Sequence, residues 1–319
     1  MGRFISTHSV VLVLPMNIDR LPDRGGSVIA AAAMSRPGGG FTTLSAGAAF
    51  GVRAALASPL GTGPNSFTVR QQLVEAGVQI LTQELVGDIG VAIQLIESNG
   101  QMTSVVTAGV EAEPSRQALD NLVLQPGDVI HISGADLASD LSWKTLSGWG
   151  AALPASVRLV VSVAPAVAEV PIAAWRQLFR RADVVTMNRR EATTLADRLA
   201  AEDPALTIRD LLGPTASIVH RMGLSGCEIQ SGIDSPRVHV PAFVSETVDT
   251  AGVGDTHIAV MCAALLEGKD LTEACRWANA AASLTISQPS ALPVPTRDQI
   301  EKVLREGKLI DSPEAARRL

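Results

Sequence analysis

The chain has 319 residues, 46% of them hydrophobic, enough to bury a large core and inconsistent with a disordered chain. Its formal net charge of −6 argues against a nucleic-acid surface, and no run reaches the roughly 18 apolar residues of a membrane helix. The three cysteines, Cys227, Cys262 and Cys275, have neither metal-ligand nor redox spacing, and the odd count fits reduced thiols in a cytoplasmic protein.

The first apolar run, Val10–Leu14, is too short for a signal peptide and reads as a buried strand. Asn17-Ile18-Asp19 follows it, and Ser27–Met34 then reads as strand again. Pro37-Gly38-Gly39-Gly40-Phe41-Thr42 enters an Ala-rich helix expected over Thr43–Ala57. A helix is expected over Asn65–Ala76. Gly90–Thr107 reads as two strands turning at Asn99-Gly100.

Beyond this point strands and helices alternate. The strands are Val129–Ile132, Arg158–Val163, Val184–Met187, Ser217–His220 and Cys227–Gln230. The helices are Leu141–Gly150, Ile172–Arg180, Glu191–Ala200 and Ile208–Leu212. The last third reads as three consecutive helices, Asp255–Glu267, Leu271–Ile286 and Arg297–Glu306. Such alternation predicts an α/β fold: a mostly parallel sheet covered on both faces. Ser27–Met34 and Gly90–Thr107 interrupt it and read as a small β lid over the C-terminal edge of the sheet. No linker or repeat divides the chain. A single domain over 1–319 is expected, with lid strands from about 17–36 and 88–110 inserted in it. The apolar stretch Val28–Ala33 predicts a homodimer formed through paired lids.

The chemistry concentrates in Asp249-Thr250-Ala251-Gly252-Val253-Gly254-Asp255-Thr256-His257, just ahead of the apolar run Ile258–Leu266. Glycines at a loop-to-helix junction let N–H groups face an anion, and the helix N-terminus adds positive potential. A carboxylate beside that anion can take a proton from an attacking hydroxyl. These are the parts of a phosphoryl-transfer site.

Upstream, Asn188 and Glu191 follow the strand Val184–Met187. Two readings stand: a helix cap closed by a capping box, or a pair holding hydrated Mg²⁺ at one remove. Arg221-Met222-Gly223-Leu224-Ser225-Gly226 joins two strands. It reads as a plain hairpin or as a loop under a nucleotide, with Arg221 near the phosphates. At the N-terminal side, Asn17, Asp19, Gly39, Gly40 and Thr42 are candidate contacts to sugar hydroxyls.

In this order these motifs resemble the ribokinase-like carbohydrate kinases of the PfkB family, from Asn17 to Pro293. Asp249 to Asp255 resembles the family signature D-T-x-G-A-G-D, with Val253 in place of Ala. The resemblance implies a three-layer ribokinase-like α/β fold with a β lid and an ATP-dependent sugar kinase using Mg²⁺. It implies Asp255 as base and the N–H groups of Ala251, Gly252, Val253 and Gly254 as anion hole. Asn188 and Glu191 would organise Mg²⁺, mostly through water, and Asp249 would border a monovalent-cation site, K⁺ being the candidate. Arg221, Gly223, Gly226 and Asn279 would line the nucleotide site. Asn17, Asp19, Gly39, Gly40 and Thr42 would contact a small carbohydrate, with Thr42 standing where the family has Asn. Ser287–Ala291 lacks the glycine expected near the cation site. A nucleoside kinase of the same fold is the alternative, but the lid segments carry no aromatic residue to stack on a base. A ligand-binding relative without activity is the third reading. Intact Asp255 and glycines argue against it.

Overall fold

The computed structural model describes residues 2–31, 34–99 and 101–310. The chain opens on β1 (Phe4–Ser6) and passes at once into β2 (Val10–Ile18). Next come β3 (Arg36–Gly39), α1 (Gly40–Phe50), β4 (Ala54–Leu56), α2 (Pro64–Glu75), β5 (Gln79–Ile80), β6 (Val91–Glu97) and β7 (Met102–Val106). The middle runs through α3 (Arg116–Asp120), β8 (Val129–Ser133), α4 (Asp140–Ala151), β9 (Arg158–Ser162), α5 (Ile172–Arg181), β10 (Val184–Asn188) and α6 (Arg189–Glu202). It ends with β11 (Ser217–Arg221), β12 (Cys227–Ser231), β13 (Arg237–Val240), α7 (Val253–Leu266), α8 (Leu271–Ile286) and α9 (Arg297–Glu306).

Nine strands form the main sheet in the order β13-β12-β11-β10-β9-β8-β1-β4-β5. From β11 to β5 every neighbour is parallel, and β12 and β13 add antiparallel pairs at one edge. Alternate residues of one strand enter opposite cores. Val160 joins the core under α1, α7 and α8, while Leu159 and Val161 join the core under α4, α5 and α6. Burial on both faces is why the strands read as continuous apolar runs. The architecture is the three-layer one expected, helices on both faces of a central sheet, with a second, smaller sheet beside it.

The smaller sheet runs β3-β2-β6-β7. It departs from the sequence reading in three ways. Val10–Ile18 belongs to this lid and not to the main sheet, whose inner strand is the triplet Phe4–Ser6, too short to carry a periodic signal. Ser27–Ala31 and Met34 form no strand, although Ile29 is 94% exposed; Ala-rich sequence beside Gly25-Gly26 has little strand preference. Arg36–Gly39 supplies the lid strand instead. Ala32, Ala33 and Gly100 lie outside the described residues, so the expected pairing surface and the Asn99-Gly100 turn are described only in part.

The helix expected over Thr43–Ala57 stops at Phe50. Gly51 takes the left-handed conformation (φ 102°), and Ala54–Leu56 becomes a buried strand between β1 and β5. Ile208–Leu211 is a 3₁₀ turn rather than an α-helix. The short strands β5 and β13 carried no readable pattern.

Candidate active site

The site lies past the C-terminal ends of the parallel strands, where ligands bind in open α/β sheets. α7 divides it. Gly252 is the cap residue, left-handed at φ 74°, and no side chain caps the helix. The first N–H groups of α7 therefore face the cleft with the positive end of the helix behind them.

On one side is a cavity of about 190 Å³ lined by Asn188, Arg221, Gly223, Leu224, Gly226, Phe243, Val253, Gly254, Asn279 and Ile286, among others. The structure thus gathers every residue assigned to the nucleotide side except Glu191, which lies one hydrogen bond behind. Glu191 is buried and Arg221 Nη2 donates to its Oε2 at 3.1 Å. Asn188 and Glu191 form a full capping box: Asn188 Oδ1 accepts from Glu191 N (2.9 Å), and Glu191 Oε2 accepts from Asn188 N (2.8 Å). Asn188 Nδ2 also donates to Glu191 Oε1 at 2.7 Å. Both carboxylate oxygens are engaged, and among the described residues no cluster of three metal-ligating side chains exists. This donor set does not fit direct Mg²⁺ ligation by the protein. Asn279 is buried, with Nδ2 donating to the carbonyls of Val240 (3.0 Å) and Pro241 (3.1 Å); its Oδ1 lies 3.2 Å from His257 Nε2.

On the other side is a cavity of about 650 Å³. Gly39, Thr42, Ala251, Gly252 and Asp255 line it, together with Arg36, Gln94 and Ser290. Asp255 keeps part of its surface open to this space. Burial raises its pKa above the usual carboxylate range, opposed by the charges of His8 and Arg221 and by the hydroxyl of Thr43. Thr43 Oγ1 is itself buried and makes no hydrogen bond of good geometry within 3.5 Å.

Several expected contacts change. Asn17 is exposed near the far end of β2 and Asp19 is exposed beyond it, so neither lines the cavity. The run Val10–Ile18 that carries them toward the lid lies in the smaller sheet, which directs its end away from the cavity. Ala251 N donates to Asp249 Oδ1 at 2.9 Å, so of the four N–H groups expected to face an anion only those of Gly252, Val253 and Gly254 are left for one. Thr42 does line the cavity, but the threonine beside the Asp255 carboxyl is Thr43.

Asp249 itself is fastened in the loop. Its Oδ2 accepts from Ser290 N at 2.9 Å. Burial opposes its ionisation, but Ala251, Ser290 and the charge of Arg36 hold its carboxyl below the usual range. Gly39 lines the cavity, whereas Gly40, also expected there, is buried and does not; both glycines have a packing reason. A Cβ on Gly40 would lie 2.2 Å from the carbonyl of His8, and one on Gly39 would lie 2.4 Å from that of Ser9.

The turn from β1 to β2 brings in residues the sequence reading missed. His8 Nδ1 is 3.0 Å from Asp136 Oδ2, and Ser9 Oγ donates to Asp136 Oδ1 at 2.5 Å. Burial lowers the pKa of His8, but the charge and hydrogen bond of Asp136, with Asp255 adding, lift it above the imidazole value. Beneath it His131 is buried between Ser6 Oγ (3.0 Å) and Ser162 Oγ (2.9 Å), its pKa pushed down to about 3 by burial. His131 stays neutral, and the histidine whose charge acts on Asp255 from this side is His8. The only signal in the sequence was a histidine two residues past the apolar start Phe4-Ile5 and its Ser6.

Residues 9–297 match the family described as pfkB family carbohydrate kinase. The chain belongs to the PfkB family of carbohydrate kinases. An Escherichia coli relative, the uncharacterized sugar kinase YegV, is 29% identical over 252 residues, covering 78% of this chain and 77% of its own. An ATP-dependent ribose-1-phosphate kinase from Halopiger xanaduensis is 26% identical over 311 residues, 96% of this chain and 99% of its own. The crystal structure of ribokinase from Thermotoga maritima superposes with a TM-score of 0.80 at 18% identity, covering 96% of this chain and 100% of the other. As a PfkB carbohydrate kinase the protein is a phosphotransferase with an alcohol acceptor. Among the described residues no helix is long and apolar enough to cross a membrane.

Proposed function

We propose that this PfkB kinase transfers the γ-phosphoryl group of ATP to a hydroxyl of a small carbohydrate. The observation that carries the reading is the division of the cleft by α7. Val253 and Gly254 face an apolar slot that Arg221 also lines, while Gly252 and Asp255 face the larger and more polar cavity. A nucleotide on one side and an acceptor on the other meet at the first turn of the helix.

The acceptor hydroxyl attacks the γ-phosphorus in line, its proton passes to Asp255, and ADP leaves. Gly252, Val253 and Gly254 N–H groups and Arg221 stabilise the charge on the transferring group. The charge of His8, held by Asp136, opposes the rise that burial imposes on the Asp255 pKa. Phe243, Leu224 and Ile286 offer the adenine an apolar slot. Mg²⁺ would arrive on the phosphates and supply charge neutralisation; Asn188 and Glu191 act as the cap that orients the loop and Arg221. The ATP dependence of the Halopiger relative supports the choice of donor.

A cytoplasmic setting suits an ATP-consuming enzyme with three buried free thiols. The lid supports a homodimer. By register Leu14, Met16, Ile93 and Leu95 share one lid face, only half-buried, with Val105 57% exposed on the same face. A monomeric mass at micromolar concentration would remove that idea.

A coupled ADP-release screen over pentoses, hexoses, sugar acids, sugar phosphates and nucleosides tests the reading. Acceptor-dependent ADP formation is expected for a sugar or sugar derivative. Activity confined to nucleosides, or none at all, would overturn it.

A further inference from the structure

Arg36 is a charge that the transfer step does not use. Among the described residues lining the larger cavity it is the only cation, and Asp255 is the only anion. Asp255 is committed to the proton. The other polar lining groups are neutral: Gln72, Gln94, Thr42, Ser45, Gln288 and Ser290 among them. A carboxylate can accept from two hydroxyls of a polyol, and among the described residues this cavity offers none besides Asp255.

The position of Arg36 is fixed by the lid. In the lid register Arg36 lies opposite Val13, and Gln94 lies opposite Pro15, so Arg36, Val13 and Gln94 share one face. All three line the cavity. Arg36 Nη1 donates to the carbonyl (2.8 Å) and hydroxyl (3.0 Å) of Ser290, which anchors one edge of the guanidinium. Among the described residues Nε and Nη2 make no hydrogen bond, and no carboxylate lies within 4.0 Å. An anchored guanidinium with a free edge is preorganised for a two-point contact with an oxyanion.

We infer that the acceptor carries an anionic group, a carboxylate or a phosphate monoester, and that Arg36 binds it at the lid end of the cavity while the hydroxyl to be phosphorylated meets Asp255. This rests on the kinase reading for the identity of the cavity, but it is tested by binding alone. Calorimetry on the full chain, without ATP, would compare matched pairs: gluconate with glucose, and ribose 1-phosphate and ribose 5-phosphate with ribose. The sugar-acid and sugar-phosphate arms separate the two sources of charge. At least one anion is expected to bind roughly ten- to hundred-fold tighter than its neutral partner. Arg36→Gln should bring that ratio close to one, and Arg36→Lys should keep part of it.

Three results would overturn the inference: no anion preferred over its neutral partner (undetectable binding of both included), a preference that survives Arg36→Gln, or equal weakening of both members. The last would make Arg36 a latch between the lid and Ser290. The two readings fail separately. An anion that binds through Arg36 but is never phosphorylated sinks the kinase assignment and leaves this one. Neutral sugars phosphorylated as efficiently as anions do the reverse.

Discussion

On the proposed nucleotide side of α7 the groups available to phosphates are main-chain N–H groups and Arg221, supplied by short continuous motifs. On the acceptor side they are side chains from separate segments: His8 after β1, Arg36 on β3, Thr43 in α1, Gln94 on β6 and Asp136 after β8. The first kind of site works through backbone geometry, which glycine spacing announces in a sequence. The second depends on tertiary placement of ordinary residues, which nothing local announces. The donor half is thus expected to respond to backbone changes, and the acceptor half to changes of charge.

The largest effect expected from a backbone change is at Gly252. Its φ of 74° costs an alanine roughly 1–2 kcal/mol, and an added Cβ would lie 3.1 Å from Thr42 Cγ2. Gly252→Ala should misdirect the first N–H groups of α7 and lower turnover by about 10²-fold, the loss of an oxyanion donor. Steady-state kinetics would read it. Turnover within two-fold of wild type would mean that these N–H groups do not serve the transfer.

A smaller effect is expected from charge on the acceptor side. The cation at His8 lowers the pKa of Asp255, so His8→Gln should let it rise further. The acid limb of the kcat/KM profile should move to higher pH, with activity lost at the acid end and largely regained at the alkaline end. A loss equal at all pH values would assign His8 a packing role instead.

The smallest effect is on stability, and its sign is opposite to the effect on activity. Burial holds the Asp255 pKa above 3.8 in the folded protein, so the folded state binds more protons than the unfolded one in that interval. Stability attributable to this group therefore falls as pH rises through the interval, and at neutral pH the ionised carboxylate is a net cost. Asp255→Asn should melt above wild type at neutral pH, with the gain fading as pH falls toward 3.8. A lower melting temperature at neutral pH would contradict the dominance of desolvation.

The same contrast explains how much could be read from the sequence. The strands β8 to β12 were legible as short apolar-rich runs bounded by turns or helical segments, and the last three helices as longer runs, apolar throughout in α7 and one-sided in α8 and α9. The junction at Gly252–Asp255 was legible because two glycines and a carboxylate before an apolar helix have few other uses. The lid was misassigned because the main-sheet strand Phe4–Ser6 is a triplet and the longer run Val10–Ile18 looked like its replacement. That error moved the expected acceptor contacts outward to Asn17 and Asp19 and concealed His8 and Asp136. The helix over α1 was drawn too long because alanines favour helix and the stop, Gly51, is a single residue. Asn188 and Glu191 left two readings open, and the capping box accounts for every oxygen involved.

The most direct measurement is a single-turnover quench with γ-labelled ATP and an accepted sugar, run on wild type and on Asp255→Asn with nucleotide binding checked by calorimetry. The account predicts label on the acceptor in the wild type. It predicts transfer slowed roughly 10²- to 10⁴-fold in the variant, the worth of a general base, with nucleotide affinity within a few-fold of wild type. Label reaching the acceptor at a near-normal rate in Asp255→Asn would contradict it.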